Sequence, residues 1–351
     1  MENKIFAKNA DISIGLTAEN CNLNCDMDGV QRNDNGYGLY SDDWFKKRTI
    51  RLGMHLENSS LTSPINFDAG EILSKITTEF KKENSIIDKD LSGIAGLIYS
   101  DICTDGITDM KDLNIKEYLI NKYGDVSPFG CLPTFKKEKE SSIQGCMTFD
   151  PFSKSFHKIY KTVPSTIVTN VPSKLITSKK ATDGVVTEEE NEFSNIGNSQ
   201  VTRFHFVNVK GHVCNKIAKE NQYTEESCLK NLFYHLLIGC GNSSSATRPL
   251  IEVTHIIKIN YFGNYTYNSI LRCVKFKSSI EDEKLSNIDD CRLDISRFKQ
   301  LNGFQHFDSI DYWVNPILEV SNDIEEQLLS IFPHEKLNKF DFNTGNFINQ
   351  K

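Results

Sequence analysis

The chain has no Cys-x-x-Cys pair among its ten cysteines, only two tryptophans and nine prolines in 351 residues, and no long apolar run. Each shortage excludes something. Unpaired cysteines do not indicate a zinc finger or ribbon, and thiols scattered this widely read as the reduced cysteines of a cytoplasmic protein. No stretch approaches the ~18 apolar residues a membrane-spanning helix needs, so no membrane partner is expected. The opening residues MENKIFAKNADISIG show no apolar core of a secretory signal, which also points to a cytoplasmic location. G-x-S-x-G, H-E-x-x-H, the Walker-A loop and the dinucleotide fingerprint are all missing. The expectation is a chain with no catalytic residue, no metal and no cofactor.

What is present is ordinary globular material: 38% hydrophobic and 25% charged residues, enough for a large core. The net charge is −7, and it is unevenly placed. Residues 281–351 hold 14 acidic and 7 basic side chains, which leaves 33 of each in the first 280. A balanced body can still carry a basic groove, so a polyanionic partner stays open.

Alternation of Ile12, Ile14, Leu16 and Ala18 predicts a first strand. The Asn20–Gly38 stretch is rich in turn formers and predicts no regular structure. A helix is expected over Asp42–Leu56, with Phe45, Leu52 and Leu56 as its apolar stripe. Residues 57–143 read as an insertion with helices near Asp68–Lys82 and Met110–Tyr123, and Ile143–Phe149 as a strand. The acidic, polar Ser173–Gln200 stretch is expected to be a mobile loop or an extended hairpin. Val201–Val213 reads as β-structure, and Thr224 as the cap of a helix ending at Gly239. Leu250–Phe262 and Ser269–Phe276 suggest a hairpin, and Ser321 the cap of a last helix to Phe332. Without insertions this is the split βαβ order of ferredoxin-like and RNA-recognition folds, an α+β class.

The most informative segment is Asn20–Arg51. Asn24, Asp26, Asp28 and Gly29 fit the start of a calcium loop, but its last position is Asn35 rather than a bidentate Glu, and a strand precedes it. Cys21 and Cys25 have no second pair to complete a zinc site. The remaining reading is a polar loop feeding a basic helix. On a helical wheel Lys47, Arg48 and Arg51 share one face opposite the apolar stripe, which suits phosphate binding, although such a cluster is more often a solvated face. Arg203-Phe204-His205-Phe206-Val207 has the aromatics of an RNA-stacking strand without its glycine, so core packing is the better reading. His205 and His212 fall on opposite faces of one strand, and His235 reads as a satisfied core residue.

Asn22, Asn24, Asp26, Asp28, Gly29, Arg32, Asp34, Gly36, Gly38, Ser41, Asp42, Lys46, Lys47 and Arg48 together form a pattern. It resembles the N-terminal signature of the seventh CRISPR-associated family, the backbone subunit of type I CRISPR surveillance (Cascade) complexes, in its Csh/Csd-like branch. Tyr123-Gly124-Asp125-Val126 with Phe129-Gly130, then Ile143-Gln144-Gly145 with Phe149 and Ser153–Ser155, and Ser243–Pro249 resemble later segments of that family. Ser127 stands where a basic residue is usual, and Cys146 replaces a proline. The resemblance implies an RNA-recognition-like palm, an inserted helical finger region and a thumb hairpin. Residues 1–56, 144–172 and 201–280 would supply the palm, 57–143 the finger, 173–200 the thumb, and 281–351 an acidic extension outside the resemblance. It also implies head-to-tail copies along a crRNA, a target DNA strand paired to that guide, and other Cascade subunits as partners. The implied RNA-binding residues are Asn22, Asn24, Arg32, Ser41, Lys46, Lys47, Arg48, Arg51, Gly145, Ser153, Ser155 and Arg248. The alternative is a type III-like backbone subunit, in which Asp26, Asp28 or Asp34 would support metal-dependent cleavage of RNA.

Overall fold

The alternating segment of the N-terminal region becomes β1 (Asn9–Cys21), with Ile12, Ile14, Leu16 and Ala18 buried on one face and Asp11, Ser13 and Thr17 buried on the other. The computed structural model describes residues 8–24, 31–58, 116–117, 120, 124–131, 142–161, 176–182, 185–191, 201–242 and 251–349. β1 pairs antiparallel with β10 (Thr202–Val213) and with β11 (Glu252–Tyr261). β10 pairs in turn with β6 (Met147–Phe149) and β7 (Phe152–Lys158). The central order is therefore β11-β1-β10-β7, which is the fourth-first-third-second arrangement that a split βαβ unit requires. Around it, β3 (Tyr37–Ser41) and β2 (Asn33–Asp34) extend one edge. β14 (Phe307–Val314), β15 (Leu337–Asp341) and β16 (Asn346–Asn349) extend the other, to ten strands in all. Among the described strands only β14 and β15 run parallel, so the class is mixed α+β.

Two cores cover the two faces of this sheet. The even side chains of β1 pack with Val207, Val209, Trp44, Phe45, Leu232, Phe233 and Leu236 under the helices. On the opposite face Phe204, Phe206, Ile257, Ile259 and Tyr261 pack under residues 270–332. The acidic C-terminal stretch is thus structural: it supplies three sheet strands and most of the second core.

Several expectations are corrected here. The Asn20–Gly38 stretch holds the β2–β3 hairpin, whose turn places Asn35 and Gly36 at φ 51° and 88°; an Asn-Gly pair is the residue choice for that twist. The helix predicted over Asp42–Leu56 is two, α1 (Asp42–Arg48) and α2 (Ile50–Asn58), broken where the Thr49 hydroxyl donates to the Phe45 carbonyl at 2.6 Å. Gly239 does not end its helix. The chain stays helical from Glu225 to Asn242, with a π-helical segment at Lys230–His235. A Cβ on Gly239 would lie 1.8 Å from the Thr49 carbonyl oxygen, and one on Gly53 would lie 1.9 Å from that of His235. These glycines exist for the crossing of α2 with the later helix.

Leu250–Phe262 and Ser269–Phe276 do not form a hairpin, because β11 is claimed on both sides by β1 and β14. Asn268–Cys273 is a 3₁₀ turn, and β12 (Lys275–Ser278) pairs with β13 (Cys291–Asp294) instead. The last helix begins at Glu319, and Ser321 is buried inside it, donating to the Thr254 carbonyl. Thr224 does cap its helix, accepting from the Ser227 N–H at 3.0 Å. Within 173–200, β8 (Ile176–Thr182) and β9 (Val185–Asn191) form an antiparallel hairpin. The helices predicted near Asp68–Lys82 and Met110–Tyr123 lie outside the described residues, apart from helical 116–117 and 120. No helix of the described residues is long and apolar enough to cross a membrane.

Two buried histidines make the fold acid-sensitive. His205 receives the Tyr40 hydroxyl at 2.6 Å and donates to the Cys21 carbonyl at 2.9 Å, and burial lowers its pKa to about 4. Burial takes His255 to about 3. Because both folded values lie below the unfolded one, the unfolded chain takes protons first, and stability falls as pH drops below about 6.5. Each ring should cost about 1.4 kcal/mol per pH unit down to its folded pKa. Urea midpoints at pH 7.5 and pH 5 should therefore differ markedly. Equal midpoints would show that these rings are not held neutral.

Candidate nucleic-acid interface

Helix α1 is assembled by short-range electrostatics. Ser41 caps it by accepting from the Trp44 N–H at 3.2 Å. Asp42 and Asp43 sit at its N-terminus and Lys46, Lys47 and Arg48 at its C-terminus, matching the helix dipole at both ends. Lys46 pairs with Asp42 at 2.6 Å and Lys47 with Asp43 at 2.9 Å, each four residues apart. Lys47 is the more open of the two lysines, with its side chain 39% exposed against 15% for Lys46. Lys46 also stands over the Phe129 ring.

The expected three-cation face breaks at Arg51. That side chain is buried, with Nε 2.9 Å from Asp125, a carboxylate with no exposure. Its guanidinium also covers the Phe129 ring. Because Thr49 interrupts the helix, a wheel drawn through 45–56 as one rod places Arg51 on the wrong side. Arg51 holds a joint together rather than lining an exposed surface.

That joint gathers two of the motif segments. Val126–Phe129 is one helical turn leading into β4 (Gly130–Cys131), which pairs with β5 (Ile143–Gln144). Gly130, at φ 73°, and Gly145 face each other so closely that a Cβ on Gly145 would lie 2.3 Å from the Phe129 carbonyl carbon. Asn221 ties the corner, donating to the Ser127 and Gln144 carbonyls. Gly145 is therefore required for packing beneath α1. Ser127, in the position usual for a basic residue, is buried and donates to the Asn221 carbonyl.

The remaining predicted residues surround β3. Asn22 accepts from the Thr202 N–H, and Asn24 donates to the Leu39 carbonyl. Arg32 is exposed, and its backbone is held between Asn24 and Leu39. Ser153 and Ser155 are buried in β7, and Ser155 accepts from the Gly38 N–H while donating to the His157 carbonyl. Asn22, Asn24, Ser153 and Ser155 thus shape the loop and strand behind α1, while Arg32, Lys47 and Arg48 lie nearer solvent. Arg248, Asp26 and Asp28 lie outside the described residues, and Asp34 pairs with Lys154. The described residues bring no three His, Cys, Asp or Glu side chains together to hold a metal ion.

The sequence reading missed Phe152. It is 52% exposed and registers against Ser41 at the start of α1, an open aromatic face on which a base could stack. Only the pairing of β3 with β7 reveals it. His205 and His212 do lie on opposite faces, and Phe204 and Phe206 are core. His235 is satisfied by Asn231 and Glu57.

A search of curated proteins finds none that matches the chain. Among solved structures it is similar to "CRISPR RNA-guided surveillance complex, pre-nicking", at 12% identity and TM-score 0.44 over 92% of this chain and 100% of that one. A second, "CRISPR RNA-guided surveillance complex", gives 11% identity and TM-score 0.43 over 95% and 96% of the two chains. The profile of the family described as "CRISPR-associated protein Cas7" matches residues 8–296, most of the chain. The chain belongs to the CRISPR-associated protein Cas7 family.

Proposed function

We propose that the protein is the repeated backbone subunit of a type I CRISPR RNA-guided surveillance complex, of the Csh/Csd-like branch, acting in the cytoplasm without catalysis of its own. The observation that carries this is the family match across residues 8–296. In this reading the β11-β1-β10-β7 sheet with its helices is the palm, the β8–β9 hairpin the thumb and residues 57–143 the finger. Copies stack head to tail on a crRNA, present it to a target DNA strand and meet the other Cascade subunits at the ends. A heterologous contact that does not close on itself makes an open filament, whose length the RNA and the end subunits must set.

The geometry supports a phosphate-reading role for α1. Lys47 and Arg48 lie nearer solvent at the helix C-terminus, and surface pairs such as Lys47–Asp43 are cheap to exchange for a phosphate. Sequence-independent contacts of this kind are what a carrier of variable guides needs.

Nuclease-protected RNA of uniform length should co-purify with the full chain, and its absence would count against the assignment. On single-stranded RNA, Lys47→Ala with Arg48→Ala should flatten the slope of log affinity against log salt by about 1.4. The loss should be equal for guides of unrelated sequence. Arg51→Ala should behave differently, costing about 3–5 kcal/mol of stability by removing the cation that faces buried Asp125. A stable Arg51→Ala protein with a flattened slope would put the RNA at Arg51 after all.

A further inference from the structure

Among the described residues, the second face of the sheet is not wholly covered. Residues 270–332 pack over Phe204, Phe206 and the odd positions of β11, but one end of the β1–β10 pair stays open. A cleft of about 460 Å³ lies there, lined by Asp11, Thr148, Asp150, Lys210, His212 and Arg272. Its position is fixed by register: His212 stands opposite Asp11, and Lys210 opposite Ser13. Arg272 reaches it from the 3₁₀ turn Asn268–Cys273.

The charges in this cleft are not equivalent. Asp11 is buried at 1% exposure and fully engaged: it accepts from the Tyr261 hydroxyl at 2.7 Å and from the Thr266 hydroxyl, and lies 3.2 Å from His212 Nδ1. It acts as an anchor that fixes the imidazole beside the cleft. Lys210 is half-buried and Arg272 exposed, and neither has an ion-pair partner among the described residues. Asp150 is the one opposing charge at the rim among the described residues, and its backbone N–H is already given to the Lys210 carbonyl.

We propose that this cleft binds a backbone phosphate of a nucleic-acid strand, through Lys210 and Arg272, beside the Asp11-oriented His212. The proposal rests on the nucleic-acid-binding role proposed above and adds a second contact, on the sheet face opposite α1 and α2. Two cations with no ion-pair partner among the described residues, set around a small polar hollow, match a phosphate's several acceptor oxygens, and Arg supplies the forked donor geometry that suits them. An acidic loop of a protein partner is the competing occupant, and the test separates the two.

The full chain is titrated with single-stranded RNA of two unrelated sequences across a salt series, as wild type, Lys210→Ala with Arg272→Ala, Asp150→Asn, and Lys47→Ala with Arg48→Ala. The Lys210/Arg272 variant should keep the wild-type melting temperature and flatten the salt slope by about 0.7, the loss of one phosphate contact, for both sequences. Asp150→Asn should tighten binding roughly twofold to fivefold by removing one like charge near the phosphate. Inorganic phosphate added to the chain without RNA should shift the His212 ring resonances, and should not do so in the Lys210/Arg272 variant. An unchanged slope for Lys210/Arg272, with the slope still sensitive to Lys47/Arg48, overturns the cleft and leaves the functional reading intact. No RNA binding by the wild type overturns both. Normal RNA binding together with loss of self-association in the Lys210/Arg272 variant would assign the cleft to a protein partner and overturn the phosphate site.

Discussion

The structure depends on one strand that is buried on both faces. β1 contributes Ile12, Ile14, Leu16 and Ala18 to the helix-side core, and its other face carries Asp11, Ser13 and Thr17. Polar groups buried without partners would cost stability, so the neighbours on that face must complete their hydrogen bonds. Ser13 donates to Asn208, Thr17 to the His205 carbonyl, and Asp11 collects Tyr261, Thr266 and His212. These bonds fix the register of β10 and of the chain just after β11. A slip by one residue would put Asp11 into the aliphatic core and Ile12 into the polar row.

The same logic positions the surface cations. α1 and α2 can approach the later helix only because Gly53 and Gly239 lack side chains at the crossing. On the other side of α2, Arg51 is locked to Asp125, and the Gly130–Gly145 contact holds that corner closed. Two closely packed joints therefore flank a short helix whose C-terminal end carries Lys47 and Arg48. A second buried ion pair fixes the far side of the sheet. Burial pushes the Asp311 carboxyl up, but Lys258 at 2.6 Å and the amides of Asn260 and Asn338 more than offset this and hold it below its usual range. Lys258, Asn260 and Asn338 all donate to that carboxylate, and such compensation is the condition under which a buried charge pair is tolerated.

What was legible in the sequence was what is local. The period-two pattern of β1, the Thr224 cap and the basic run after Ser41 each signal through neighbours within a few residues. What was not legible depends on partners far along the chain. Arg51 looked like a surface cation because its partner is Asp125, 74 positions away. Gly239 has the chemistry of a helix stop, and nothing nearby in sequence says that its missing Cβ makes room for the Thr49 carbonyl. Ser321 is as good a cap residue as Thr224, yet its hydroxyl is drawn inward to Thr254. The Lys210, His212 and Arg272 cleft was hidden for a related reason, since its cations come from two elements about sixty residues apart in sequence. The Asn35-Gly36 turn was the readable signal passed over, because the surrounding Asn and Asp residues made the whole stretch look irregular.

The charge pattern also bears on how a chain of net charge −7 can hold a polyanion. The C-terminal acids are partly spent in structure: Glu319 and Asp323 hold Arg292, and Glu325 holds Lys339. Lys46 and Lys47 of α1 come already paired with Asp42 and Asp43. A phosphate must displace those carboxylates, and since exposed pairs contribute only about 0–1 kcal/mol, displacement is possible but the net gain per contact is small. In the proposed role that weakness has a use. One subunit on a stray nucleic acid gains little, whereas neighbouring subunits on one strand bind at high effective concentration, and their small gains accumulate. Selectivity for an assembled strand over random polyanion then follows from the number of contacts in register and does not require any single strong one.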